Sequence, residues 1–177
     1  VAATLKSASS APLGGALRFE VTDRTTGRRV AARSVPCRLE PGSETVMNET
    51  LQLGGDVKLW NEFTPNLYEV TVAFEGGGNS AERSEVFGMR SIAADGNRLL
   101  VNGTPAFMRG TLECCIFPLT GYPPTDPEGW EKVFRTAKEW GLNHLRFHSW
   151  CPPEAAFEVA DRVGMYLQVE LPVWTLN

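Results

Sequence analysis

The second half of the chain alternates three short apolar runs with two amphipathic segments, and this order constrains the fold more than any other feature. The apolar runs cover residues 106–112, 143–147 and 165–171, and each is short enough to predict a strand. The amphipathic segments between them predict helices. Because each crossover is long enough for a right-handed parallel connection, the pattern predicts a β-α-β-α-β unit with a parallel three-stranded sheet.

Helix signals frame both amphipathic segments. The first begins with DPE at residues 126–128, where Asp favours the N-cap, Pro the first helical position and Glu the first turn, and it ends before Gly141. Its predicted apolar stripe comprises Trp130, Val133, Phe134, Ala137 and Trp140. The second helix is predicted over residues 153–163, with Gly164 closing it. Its predicted inward residues are Ala156, Phe157, Ala160 and Val163.

In the first half of the chain, apolar and polar residues alternate with a period near two, which predicts an all-β structure. Strands are predicted at residues 16–23, 28–34, 45–53, 67–75 and 80–92, with turn residues between them. Five or more short strands in roughly 90–100 residues predict a β-sandwich. The sequence pattern changes after residue 94. Further along the chain, Asn102-Gly103 predicts a hairpin turn. The sequence therefore predicts a sandwich domain over 1–94 and a second domain over 95–177.

Composition narrows the partners that the chain is expected to have. The net charge of −4 disfavours nucleic acid or an anionic membrane as the main partner, since both require a basic face. No apolar run approaches the ~20 residues that span a bilayer, and the N-terminus lacks the pattern of a signal peptide. The four cysteines have no CxxC spacing, so neither a zinc site nor a disulfide framework is predicted. No metal and no cofactor are expected.

Polar and aromatic residues follow the predicted strands at their carboxyl ends. The candidates for binding are Glu113, Arg146, His148, Trp150 and Glu170. The carboxyl edge of a parallel sheet is where α/β enzymes place binding residues, so these side chains are predicted to share one site. No nucleophile–base pair or phosphate loop is visible, which disfavours a free-standing α/β domain with its own chemistry.

Five segments in this order resemble glycoside hydrolase family 2, which includes β-galactosidases, β-glucuronidases and β-mannosidases. They read LWNEFTPNLYEVTV, VFGMRSI, LLVNGTPAFMRG, EWGLNHLRFHSWCPP and ADRVGMYLQVELP, and the match covers about residues 58–174. The resemblance implies an immunoglobulin-like sandwich that leads into a (β/α)8 barrel. This chain would hold the sandwich and barrel strands one to three with their two helices. The remainder of the parent polypeptide would complete the barrel.

The resemblance assigns roles unevenly. Arg146 fits the arginine that ends the second barrel strand and faces the catalytic carboxylates, where a guanidinium would keep a nucleophile ionised; the alternative is an ion pair with a framework acid. The two catalytic glutamates of the family, roughly 5 Å apart in retaining enzymes, would lie on later strands. This chain is therefore expected to contain no catalytic residue and to be inactive alone. Glu170 is expected to anchor the barrel rim or line the pocket.

Departures from the family pattern bear on the sugar. The stretches at 111–115 (TLECC) and 148–152 (HSWCP) replace residues expected to contact substrate, which argues against a plain β-galactosidase of the best-known type. Trp150 and Trp174 are candidates for sugar stacking or for core packing, and His148 for hydrogen bonding or a structural role. His144 is expected to be structural. A metal site formed by His148 and three cysteines is disfavoured, the cysteines being Cys114, Cys115 and Cys151.

The functional hypothesis is a fragment of a retaining glycoside hydrolase that cleaves β-glycosidic bonds in oligo- or polysaccharides. The alternative is a non-catalytic carbohydrate-binding or scaffolding module. A carbohydrate is the expected ligand in both cases, and polysaccharide degradation would favour a bacterial periplasmic or extracellular setting. Open strand edges in an isolated fragment further predict self-association, so a homo-oligomer is also considered.

Overall fold

The computed structural model describes residues 1–173, which form two compact units. The β unit contains residues 1–58 and 67–87, and the α/β unit contains residues 59–66 and the chain from residue 88 onward. The chain therefore leaves the β unit after Lys58, contributes eight residues to the α/β unit and returns at Leu67. The predicted division of domains at residue 94 stays a prediction.

The β unit is a sandwich of two antiparallel sheets, as the sequence predicted. Its strands are β1 (Ala2–Lys6), β2 (Leu13–Asp23), β3 (Arg29–Leu39), β4 (Glu44–Asn48), β5 (Tyr68–Gly76) and β6 (Asn79–Phe87). The larger sheet has the order β3-β2-β5-β6, and the smaller one pairs β1 with β4. The core contains Leu17, Phe19 and Phe74 from the larger sheet, with Ala3, Leu5 and Met47 packed against them from the smaller.

Two strands of the β unit are shorter than predicted. The predicted strand 45–53 ends at Asn48, after which Leu51 and Leu53 pack on the core as irregular chain. The predicted strand 80–92 ends at Phe87. Its partner β5 begins at Tyr68, which pairs with Phe87, and beyond this point the chain bonds to the inserted segment instead, since the Trp60 N–H donates to the Met89 carbonyl at 2.8 Å. Gly88 lies against the Trp60 ring, where a β-carbon would come within 2.9 Å of the Trp60 side chain.

The α/β unit contains one antiparallel and one parallel sheet. Its elements are β7 (Ile92–Asp95), β8 (Arg98–Val101), β9 (Thr104–Ala106), β10 (Gly110–Glu113), α1 (Pro127–Glu139), β11 (His144–Phe147), α2 (Glu154–Val163) and β12 (Tyr166–Val169). Strands β7, β8 and β9 form a meander in which Asn102-Gly103 makes the predicted turn. Strands β10, β11 and β12 are parallel, adjacent and in this order, as the β-α-β-α-β pattern predicted.

The predicted strand 106–112 is divided between the two sheets. Ala106 ends β9, and Gly110 begins β10. The division occurs because the Arg109 N–H donates to the Asn143 side-chain oxygen at 2.7 Å instead of to a neighbouring strand. Gly110 then fits a narrow gap, since a β-carbon at this position would lie 2.4 Å from Nδ1 of His144.

Both helices begin and end at the predicted signals. The Asp126 side chain accepts a hydrogen bond from the Gly129 N–H at 2.8 Å, and Pro127 is the first residue of α1. Gly141 and Gly164 both have positive φ, which glycine tolerates after a helix. The helices and the parallel sheet share one core, formed by Trp130, Phe134, Leu145, Phe147, Ala156, Val159, Ala160, Val163 and Met165.

The predicted apolar faces of the two helices were wrong at one residue each. Trp140 is 81% exposed, because ten residues of helix after Trp130 correspond to about 2.8 turns and rotate it off the stripe. Phe157 is 38% exposed, and Val159 is buried instead. The buried face of α2 is a regular i, i+3, i+4, i+7 stripe that begins at Ala156, to which Phe157 lies about 100° away.

A polar network, which we call the basal network, closes the amino ends of the parallel strands. Its members are Glu62, Phe107, Lys138, Asn143, Val163 and Gly164. The Lys138 ammonium donates to the carbonyl oxygens of Glu62 at 2.7 Å, Val163 at 2.7 Å and Gly164 at 3.2 Å. The amide of Asn143, which is 2% exposed, donates to the Glu62 carboxylate and to the Phe107 carbonyl.

Trp60 anchors the same short segment in the α/β unit. Its ring is 1% exposed, and its Nε1–H donates to the Asp161 carbonyl at 2.7 Å. Tyr166 packs edge-to-face on this ring at 5.5 Å, and the Arg90 guanidinium lies 4.8 Å from its centroid. Residues 59–66 are therefore part of the α/β core, although they precede the last two strands of the sandwich in sequence.

Replacing one buried and one exposed aromatic residue of α1 tests which side chains form its apolar face. Phe134→Ala should lower the free energy of unfolding by about 3–5 kcal/mol, because the ring is fully buried. Trp140→Ala should change it by less than about 0.5 kcal/mol, because the ring is in solvent. Urea unfolding followed by circular dichroism measures both values. A similar loss of unfolding free energy in the two variants would mean that Trp140 belongs to the apolar face, as the sequence predicted.

Removing the Lys138 ammonium tests the basal network. Lys138→Met keeps the aliphatic stem but leaves three carbonyl oxygens without their donor, which should cost about 1–3 kcal/mol of unfolding free energy. Lys132→Met on the exposed face of the same helix is the matched control and should be nearly neutral. Equal stability of the two variants would mean that water satisfies these carbonyls equally well.

Candidate functional site

The carboxyl ends of the three parallel strands lie level with one another. The register pairs Glu113 with Phe147 and Phe147 with Val169. Two backbone bonds continue it past the strand ends, since the His148 N–H donates to the Glu113 carbonyl at 2.9 Å and the Glu170 N–H to the Phe147 carbonyl at 3.2 Å. We call this region, residues 113–115, 146–151 and 168–170, the carboxyl edge.

Arg146 and Glu170 form an ion pair on the carboxyl edge. The Arg146 guanidinium donates to one carboxylate oxygen of Glu170. The other oxygen accepts the backbone N–H of Ser149 at 2.9 Å. The Arg146 side chain is 50% exposed and the Glu170 side chain 21% exposed. Glu170 thus holds the guanidinium in one position while leaving much of it open to solvent.

The environment of Glu170 favours its ionised form. Burial by itself raises the pKa of this carboxyl group, but the hydrogen bonds from Arg146 and the Ser149 N–H, with the charges of Arg146 and His148, outweigh burial and lower the pKa. Ser149 can offer its N–H because its φ is +61°, an unusual conformation for serine that turns the chain after β11. The pair therefore stays charged at neutral pH.

Glu113 is held in a different way at the end of β10. Both of its carboxylate oxygens accept the Cys115 N–H, at 3.0 and 3.1 Å. Cys115 has a φ of +58°, so this turn also uses a left-handed residue that is not glycine. Burial and the nearby Glu113 charge both raise the pKa of the Cys115 thiol, which keeps that thiol protonated.

Trp150 is the partly exposed aromatic residue of the carboxyl edge, whereas Phe147 is fully buried. Its ring packs edge-to-face on Phe147 at 5.3 Å and lies 6.3 Å from Trp130, and its Nε1–H donates to the Glu113 carbonyl at 3.4 Å. These contacts place the partly buried ring against the core and support its packing role. The other candidate for stacking, Trp174, lies outside the described residues.

The two histidines lie in different surroundings. His148 is exposed at the carboxyl edge, where its charge contributes to the lowered pKa of Glu170. His144 lies at the opposite end of β11, against Gly110. Burial, followed by the nearby Arg146 charge, lowers the pKa of His144, so its neutral form is favoured. These surroundings are consistent with the structural role predicted for it.

The sequence predicted which side chains share the carboxyl edge, but not the backbone groups that orient them. The N–H groups of Ser149 and Cys115 bind the two carboxylates, and neither residue type signals a left-handed conformation. All four cysteines are free thiols. Within residues 1–173, no three or more His, Cys, Asp or Glu side chains are grouped as a metal site would require. No helix of that part of the chain has the length and apolarity to cross a bilayer.

Comparisons with known proteins place this architecture in one family. Residues 1–90 match the family model described as glycosyl hydrolases family 2, and the chain belongs to this family. It is 27% identical over 121 residues to a β-galactosidase of Thermoanaerobacterium thermosulfurigenes, covering 67% of this chain and 17% of that protein. It is 28% identical over 120 residues to a β-galactosidase of Lactococcus lactis, covering 67% and 12% respectively.

Solved structures of the family have the same fold. The Bacteroides uniformis β-glucuronidase superposes with a TM-score of 0.86 at 20% identity, over 97% of this chain and 21% of that chain. A glycosyl hydrolase family 2 member from Bacteroides cellulosilyticus gives a TM-score of 0.82 at 21% identity, over 94% and 23%. The chain thus spans about a fifth of the length of these structures, and 12 to 17% of the length of the matched β-galactosidases.

The pKa of Glu170 offers a test of the ion pair. Because the folded-state pKa is below the ordinary value of 4.5, the pair stabilises the fold above that pH, and this contribution is lost as pH falls through the lowered pKa. In Arg146→Met the pKa of Glu170 should rise, and in the control Arg135→Met, on the outer face of α1, it should not change. Carbon-detected NMR titration of the Glu170 carboxyl group measures this pKa in the unsubstituted chain and in both variants. An unchanged midpoint in Arg146→Met would show that Arg146 does not set the shift.

Proposed function

We propose that this chain supplies the sandwich and the first third of a (β/α)8 barrel in a retaining glycoside hydrolase that acts on β-glycosides. In this proposal the carboxyl edge forms one wall of the substrate pocket. The observation that carries it is the Arg146–Glu170 pair, a charged and half-exposed group at the level where parallel strands end. Binding residues of barrel enzymes lie at this level.

The proposed role of Arg146 follows from its contacts. Glu170 accepts from the Nε and one terminal nitrogen of the guanidinium, and this fixes the plane of the group. A guanidinium carries five N–H donors, so a fixed one can also bind a carboxylate or a sugar hydroxyl on its exposed side. We assign Arg146 to binding and orienting such a group, and Glu170 to positioning Arg146.

Glu113, His148 and Trp150 complete the proposed wall. The carboxylate of Glu113 is oriented by the Cys115 N–H and can accept hydrogen bonds from sugar hydroxyls. His148 is exposed at the carboxyl edge, where its backbone N–H bonds to the Glu113 carbonyl, and in this proposal its imidazole donates to the same ligand. Trp150 closes the inner side of the edge by packing on Phe147, with any sugar contact limited to the exposed part of its ring.

The catalytic step is assigned to polypeptide outside residues 1–177. Retaining hydrolysis needs a nucleophilic carboxylate and an acid/base carboxyl group about 5–5.5 Å apart on either side of the glycosidic bond. Glu170 accepts hydrogen bonds from Arg146 and the Ser149 N–H, and these lower its pKa and the basicity that an acid/base group needs. The wall proposed here would hold the sugar and keep a nearby carboxylate ionised.

Turnover by the full-length parent protein tests this proposal. The parent should hydrolyse an aryl β-glycoside from a panel of β-galactoside, β-glucuronide and β-mannoside. Arg146→Lys keeps the charge but loses the planar fork, and it should reduce kcat/KM about 10- to 100-fold, as expected for the loss of hydrogen bonds to a charged group. Arg146→Ala should reduce it further.

Arg38→Ala is the matched control, because Arg38 is an exposed arginine that also pairs with a glutamate but lies on β3 of the sandwich. It should leave kcat/KM unchanged. Equal activity of the Arg146 and Arg38 variants would remove Arg146 from the pocket. Saccharide binding by calorimetry without turnover of any glycoside would favour a non-catalytic carbohydrate-binding module.

A further inference from the structure

Two adjacent cysteines follow the end of β10 on the carboxyl edge. Cys114 and Cys115 are both exposed free thiols, and the chain has no other pair of cysteines that are neighbours in sequence. Because consecutive α-carbons are only about 3.8 Å apart, the two sulfur atoms can meet by rotations within this one turn. The two thiols can therefore react as a pair, and the proposed function gives that pair no role.

The backbone at Cys115 has a conformation that favours glycine. Its φ of +58° is in the left-handed region, where the side chain of an L-residue costs free energy and glycine has no such cost. The turn is stabilised by Glu113, because both of its carboxylate oxygens accept the Cys115 N–H. A cysteine is thus held in a strained turn directly beside another cysteine, and strain of this kind is typical of functional positions.

The other two cysteines have different surroundings. Cys37 is buried in the sandwich core, where burial raises the pKa of its thiol, so it is shielded from reagents in solution. Cys151 is exposed on the carboxyl edge, and its Sγ lies 3.5 Å from the Pro152 carbonyl oxygen. It follows Trp150, whose Nε1–H donates to the Glu113 carbonyl. Cys151 is therefore the thiol that competes with the adjacent pair for a partner.

We propose that Cys114 and Cys115 form a reversible thiol–disulfide site, which reacts with low-molecular-weight disulfides and controls the orientation of Glu113. A bond between the two sulfur atoms closes a small ring, and the backbone nitrogen of Cys115 is one atom of that ring. The N–H of the same nitrogen orients Glu113 in the reduced chain. Closing the ring therefore displaces this N–H from the carboxylate, and opening the ring restores the hydrogen bonds.

The oxidation consists of two thiol–disulfide exchange steps. Burial and the Glu113 charge raise the pKa of the Cys115 thiol, so the first attack is assigned to Cys114. The Cys114 thiolate attacks one sulfur atom of the reagent disulfide and releases the other half as a thiolate. The Cys115 thiol gives its proton to solvent, and its sulfur attacks the Cys114 sulfur and releases the second half. The two cysteines lose two electrons, and the reagent disulfide gains them and becomes two thiols.

The spacing of the two residues favours a bond that is readily reduced. Their α-carbons, about 3.8 Å apart, are closer than the roughly 4.4–6.8 Å at which disulfides usually form. A disulfide outside that range is strained, and strain makes it more reducible. The site is therefore suited to reversible oxidation rather than to a permanent cross-link.

The thiol site does not depend on the proposed function, but its consequence for substrate does. Glu113 belongs to the proposed wall of the pocket, so the oxidised parent protein should bind a glycoside more weakly. Peptide mapping and hydrogen exchange on the 177-residue chain contain no catalytic readout. Failure of the thiol site and failure of the proposed function are therefore observed separately.

Peptide mapping after oxidation tests which sulfur atoms pair. The chain is treated with oxidised glutathione, the remaining thiols are blocked, and trypsin cleaves it after arginine and lysine. Peptide 110–132 then contains only Cys114 and Cys115, and peptide 147–162 contains only Cys151. The expected product is peptide 110–132 lighter by two hydrogen atoms and free of glutathione. A bond that joins the two peptides, or glutathione adducts without an internal bond, would overturn the proposal.

Cysteine-to-serine variants provide the matched controls. Cys151→Ser should give the same oxidised peptide 110–132, whereas Cys114→Ser and Cys115→Ser should not. Dithiothreitol should return the oxidised peptide to its reduced mass. Loss of the oxidised peptide in Cys151→Ser would assign the bond to Cys151 and contradict the adjacent pair.

Amide hydrogen exchange tests the coupling to Glu113. After oxidation the Cys115 amide should exchange about 10-fold faster or more, because it no longer donates to the carboxylate. The Ser149 amide is the internal control, since it donates to Glu170 in a similar turn and should keep its rate. An unchanged rate of the Cys115 amide, or an equal change at Ser149, would show that oxidation does not control Glu113.

Discussion

The arrangement of the α/β unit depends most on the three hydrogen bonds that the Lys138 ammonium donates. It joins the carbonyl oxygens of Glu62, Val163 and Gly164, which come from the inserted segment, the end of α2 and the turn into β12. Burial lowers the pKa of this ammonium, with Glu62 acting in the opposite direction. The three hydrogen bonds therefore hold the inserted segment, the end of α2 and the start of β12 against α1.

The basal network determines the geometry of the carboxyl edge at the other end of the parallel strands. Asn143 bonds to Glu62, Phe107 and Arg109, and its own carbonyl accepts the Tyr166 N–H, so the starts of β10, β11 and β12 are set together. Each of these strands has only four residues. The register that is fixed at the first residue of each strand is therefore kept up to its last residue. The level carboxyl edge follows from hydrogen bonds about four residues away from it.

Local signals were sufficient for most elements, and long-range contacts decided the rest. The cap at Asp126, the glycines that end both helices and the hairpin at Asn102-Gly103 act within a few residues, and the sequence predicted all of them. The ends of β6 and β9 depend on Trp60 and Asn143, which are distant in sequence, and the predicted strands ran past both. At the candidate site, strand order placed Arg146 and Glu170 at one edge, but the left-handed serine that binds Glu170 has no local signal.

The ion pair and the binding role of Arg146 were alternatives at the level of sequence, but the geometry makes them compatible. A long flexible side chain loses rotamer entropy when it orders on a ligand, and Glu170 has already fixed this one in the folded chain. Glu170 is in turn fixed by the backbone of Ser149, so its position does not depend on another mobile side chain. Half of the Arg146 side chain remains exposed despite the pair. An arginine that is held on one side and open on the other is preorganised for an anionic or hydroxyl-bearing ligand.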